Sequence, residues 1–89
     1  MKADKQSLLD AAMGDEVNTI EGSNAWCNAM VRYGEQVTST KAQIERLTEL
    51  RDELKTKAEA SDTTHHRATI IKKLRLCIKT HIESLKQPA

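Results

Sequence analysis

Eighty-nine residues make one small domain, 1–89, whose margin of stability is thin enough for burial against a partner to matter. Aromatic residues are 2% of the chain (Trp26 and Tyr33, with no Phe) beside a hydrophobic fraction of 38%, which suits helix packing on Leu, Ile, Val, Met and Ala and argues against a sheet. The net charge of +1 hides a segregation, with two lysines against five carboxylates in residues 1–25 and six cations against Glu83 alone in residues 63–89.

The first periodic segment spans about 4–20. Leu9, Met13, Val17 and Ile20 recur at spacings of 4, 4 and 3, which puts one apolar face on a helix. Gly14-Asp15 reads either as a tolerated interruption, costing about 1 kcal/mol relative to Ala, or as a stop followed by a new cap. Glu21-Gly22-Ser23-Asn24 reads as a break rich in N-cap residues.

A long central helix is expected over 24–60. Trp26, Met30, Tyr33, Val37, Thr40, Ile44, Leu47, Arg51, Leu54 and Ala58 alternate at spacings of 4 and 3, the seam of a coiled coil, with Thr40 and Arg51 as its weak positions. Ser61-Asp62-Thr63-Thr64 fits a tight helix–helix turn. The last helix is expected over 64–86, with Ile70, Ile71, Leu74, Cys77, Ile78, Ile82 and Leu85 as its apolar arc and Gln87-Pro88-Ala89 ending it. The fold class is therefore all-α: a long central helix forming an antiparallel helical hairpin or coiled coil with the C-terminal helix, plus a shorter N-terminal helix. At 1.5 Å per residue the central helix would be roughly 55 Å long and the last one roughly 35 Å. The stretch holding Trp26, Met30 and Tyr33 would then need cover from the N-terminal helix, from a second copy in a homodimer, or from a partner.

Few chemistries fit these residues. The chain has no glycine-rich phosphate loop, nucleophile elbow or His-Glu-x-x-His helix, so no catalytic residues and no cofactor are expected. Cys77 and His81 stand one turn apart, but a structural zinc site needs four ligands, and they read as a buried thiol and imidazole with no metal. The hairpin register places Cys27 and Cys77 roughly 30 Å apart, too far for a disulfide, and both read as free thiols in a reducing cytoplasm. No apolar run approaches a membrane span, and the start lacks the apolar run of a signal peptide.

Two surfaces carry the functional expectation. Lys72, Arg75, Lys79 and Lys86 cluster on one side of the last helix with Lys73 beside them, a basic stripe suited to an acidic protein surface or to nucleic-acid phosphates. Leu76 is stranded on that polar side. Trp26, Met30 and Tyr33 form the second surface, as interface anchors or as core. The reading is a cytoplasmic, non-enzymatic protein that modulates or inhibits a larger protein with an acidic surface, through the basic helix and the exposed spine. A small nucleic-acid-binding protein and a structural coiled-coil oligomer or assembly chaperone are its alternatives.

Overall fold

A computed structural model describes residues 1–87, and the expected terminator Pro88 lies outside the described residues. The described residues form four α-helices: α1 over Lys5–Ala12, α2 over Ile20–Glu35, α3 over Thr40–Glu59 and α4 over His65–Lys86, with a short 3-10 turn at Glu16–Asn18. Each α-helix starts on a side-chain cap. Asp4, Thr19, Ser39 and Thr64 accept from the backbone N–H of Ser7, Gly22, Ala42 and Arg67 respectively, so each helix satisfies one of its unpaired first-turn donors locally.

The all-helical class holds, and α3 and α4 form the expected hairpin. The single central helix over 24–60 does not. It is two helices, α2 and α3, separated at Gln36–Ser39. Val37, Thr38, Ser39 and Thr40 are four poor helix formers in a row, and the Ser39 hydroxyl offers the Ala42 N–H a cap at 3.0 Å. Gly34 then lets α3 approach closely: a Cβ there would meet Leu47 Cδ1 at 3.2 Å. The corner is clasped by Arg46, which donates to Tyr33 O and Gln36 Oε1, both at 3.1 Å, and lies 4.7 Å from the Tyr33 ring centroid. Gln36 Nε2 in turn donates to Ala3 O at 2.6 Å.

The N-terminal segment differs in the same way. The helix expected over 4–20 stops at Ala12, and Met13 and Gly14 close the stop through backbone bonds to Asp10 and Ala11. Helix α2 starts at Ile20 rather than after Gly22, and Ile20 is 82% exposed instead of facing the core. Gly22 lies inside the first turn of α2, pressed against the 3-10 turn. A Cβ there would fall within the Glu16 carbonyl and 2.5 Å from its carbon.

Breaking the spine folds the molecule. Its extents are 40 × 24 × 20 Å and its radius of gyration is 12.6 Å, close to the roughly 12 Å of a compact chain of this length. One core takes Leu8, Leu9 and Ala12 from α1, Val17 from the 3-10 turn, Trp26, Ala29, Met30 and Tyr33 from α2, and Leu47, Leu50 and Leu54 from α3. Helix α4 adds Ile70, Ile71, Leu74, Ile78 and Ile82. Trp26, proposed as an interface anchor, is fully buried and donates from Nε1 to Leu8 O at 2.9 Å. Met30 is fully buried and Tyr33 nearly so. These three are core residues, because α1 and α3 both close over α2.

The expected separation of Cys27 and Cys77 fails for the same reason. With α2 folded back against α4, the two thiols are neighbours. The register that put them far apart held only for a continuous helix.

Candidate interaction groove

The outer side of the α3–α4 hairpin carries the basic stripe. The hairpin closes through residues 60–64, where Thr63 Oγ1 donates to Lys57 O at 2.6 Å and Thr64 caps α4. On the inner side, Leu47, Leu50 and Leu54 share the core with Ile71, Leu74, Ile78 and Ile82. Side chains a half-turn away are thereby held along the outer crease. Arg51, Asp52 and Lys55 of α3 and Lys72, Arg75, Leu76 and Lys79 of α4 line an open groove of about 420 Å³.

This arrangement sorts the stripe. Lys72, Arg75 and Lys79 come together in the groove, but Lys73 does not. It projects to the other side of α4, lining a smaller hollow of about 220 Å³ with Val17, Ile20 and Ile70. Lys86 is exposed in the last turn of α4 and lies outside the groove. Arg51 and Lys55 are the groove residues that the stripe on one helix could not reveal. Their spacing of four puts them on one side of α3, and a turn near 62 places them across from Lys72 and Arg75. Arg51, expected as a weak seam residue, is a half-buried groove residue instead.

The electrostatics are one-sided. Five cations face one carboxylate, Asp52, and none of the five has an ion-pair partner among the described residues. The pairs that do form lie elsewhere: Lys5 with Glu53 at 3.1 Å and Arg67 with Asp15 at 3.7 Å. The Glu53 contact holds the Lys5 ammonium above its ordinary pKa of 10.5. Arg75 Nε is shielded from solvent and has no hydrogen-bond partner, which leaves one donor of its planar fork unmet. Leu76 lies among these charges and is 61% exposed. Such a surface can hold carboxylates through guanidinium forks while Leu76 meets an apolar side chain.

Among the described residues no three His, Cys, Asp or Glu side chains come together as metal ligands, and no helix is long and apolar enough to cross a membrane. Comparison with protein-family models, with curated proteins and with solved structures gives no significant match.

Proposed function

We propose that this chain is a small non-enzymatic binding protein that docks on an acidic surface of a larger protein through the α3–α4 groove, and so modulates or inhibits that partner. The observation that carries this reading is the set of five unpaired cations around an exposed leucine. Like charges held in one crease repel one another, and an acidic partner relieves that repulsion on binding. A protein partner fits better than nucleic acid for two reasons. Both aromatic side chains are buried, so none is left for base stacking. Thirteen carboxylates against fourteen Lys and Arg also leave the chain a net charge of only +1, which weakens attraction to phosphates. The spine is broken between α2 and α3 and most of its apolar seam is packed inside the chain, which favours the groove as the docking surface.

The test is a titration with two probes, a Glu- and Leu-rich helical peptide and mixed-sequence duplex DNA, at low and at physiological salt. The peptide should bind, more weakly at higher salt. Reversal of Lys72, Arg75 and Lys79 to Glu should weaken it by about tenfold or more, equivalent to about 1.4 kcal/mol, without changing the circular dichroism spectrum. Equal peptide affinity for the reversed chain removes the groove from the reading. Tighter binding of DNA than of peptide assigns the groove to nucleic acid instead.

A further inference from the structure

Cys27 on α2 and Cys77 on α4 are about fifty residues apart in sequence, yet they meet where the two helices pack. Both are free thiols, both are half-buried, and both pack against the common core. The two thiols are neighbours in the contact between α2 and α4. Cys77 lies about 140–160° around α4 from Lys72, Arg75 and Lys79, on the side away from the groove. Neither cysteine has a role in the binding surface.

We propose that Cys27 and Cys77 form a two-thiol oxidation site, at which a glutathione-type disulfide converts the pair into an intramolecular disulfide that fastens α2 to α4. Burial and the neighbouring Cys77 sulfur push the Cys27 thiol up to about 12, so it keeps its proton at neutral pH. In the first step Cys77, having given its proton to solvent, attacks one sulfur of the small disulfide. The Cys77–S–S–R bond forms, and the departing thiolate takes up a proton. In the second step Cys27 releases its proton and attacks the Cys77 sulfur, expelling the second small thiol. Two thiols lose two hydrogens and two electrons, and one small disulfide is reduced to two thiols.

Closing a loop of this length restricts the unfolded chain far more than the folded one, where the two helices are already in contact. The oxidised monomer should therefore melt higher than the reduced one, by on the order of 10 °C. The experiment incubates the full-length protein with oxidised glutathione, then compares melting and peptide maps with and without reductant. The monomer should lose two hydrogens in mass, and trypsin should release residues 6–32 linked to residues 76–79. Reductant should reverse both the link and the Tm gain. Cys27→Ser and Cys77→Ser should each melt near the reduced wild type and show no gain on oxidation. The proposal is overturned if the only products carry glutathione on the separate cysteines, or if the cysteines link two chains rather than one.

Discussion

Gly22 and Gly14 form a matched pair in which the same substitution should have opposite effects. Both have ordinary negative φ, so neither is required for backbone conformation. At Gly14 an added Cβ meets nothing closer than Ala11 O at 3.5 Å. Gly14→Ala should be neutral or stabilising by up to about 1 kcal/mol, because it reduces the freedom of the unfolded chain. At Gly22 the Cβ would collide with backbone, the Glu16 carbonyl, and would also press on the Thr19 cap oxygen at 3.1 Å. Backbone cannot swing aside as a side chain does, so the 3-10 turn must move, and Val17, only 4% exposed, leaves the core with it. Exposing a buried Val costs about 1.5–3 kcal/mol. Replacing Gly by Ala within a helix returns about 1 kcal/mol. The net destabilisation is about 0.5–2 kcal/mol, a fall in Tm of roughly 2–15 °C. Thermal melts followed by circular dichroism at matched concentration measure both variants. If Gly22→Ala melts at or above the wild type alongside Gly14→Ala, the close approach of the 3-10 turn is not what excludes a side chain there.

Two further outcomes follow from single contacts. Trp26→Phe removes the Nε1 bond to Leu8 O and leaves a void in a fully packed site, so its urea midpoint by circular dichroism should drop by an amount equivalent to about 2–3 kcal/mol, and an unchanged midpoint would count against the buried bond. The Ser7 backbone N–H at Asp4 holds that carboxyl below its usual 3.8. A group depressed in the folded state contributes stability that is present above pH 3.8 and lost as the pH falls through its lower folded value. NMR shifts of α1 should report fraying in that acid window, and Asp4→Asn, whose amide oxygen also caps, should remove the pH dependence.

The helical class, the α3–α4 hairpin and the turn over Ser61–Thr64 were legible because they rest on local periodicity and capping chemistry. The corner between α2 and α3 was not, for a geometric reason. The break at Gln36–Ser39 leaves Tyr33, Val37 and Thr40 at heptad spacing, so the apolar pattern runs through it unchanged. Only the weak helix formers from Val37 to Thr40 mark it, and propensity is a small effect beside a sustained seam. Two misplacements follow from that one corner: the unfilled spine and the separation of the two thiols. For the groove, a helical wheel finds Lys72, Arg75 and Lys79 within α4, but it carries no information about α3. Arg51 was hidden by its place in the seam, and Lys55 by its mixed-sign neighbours. Lys73 was grouped with the stripe since a wheel shows angle but not which neighbouring helix fills the gap beside it.

All six pairings among the four α-helices are in contact, so no helix can detach without giving up three interfaces at once. A body wired in this way should lose its core in a single cooperative step, with only helix ends fraying beforehand. Occupation of the outer crease of α3 and α4 is then felt across the whole molecule by mass action. A ligand at a hundred times its Kd adds about 2.7 kcal/mol to the unfolding free energy. That gain extends to α1, whose amides would exchange more slowly although no groove residue lies on it.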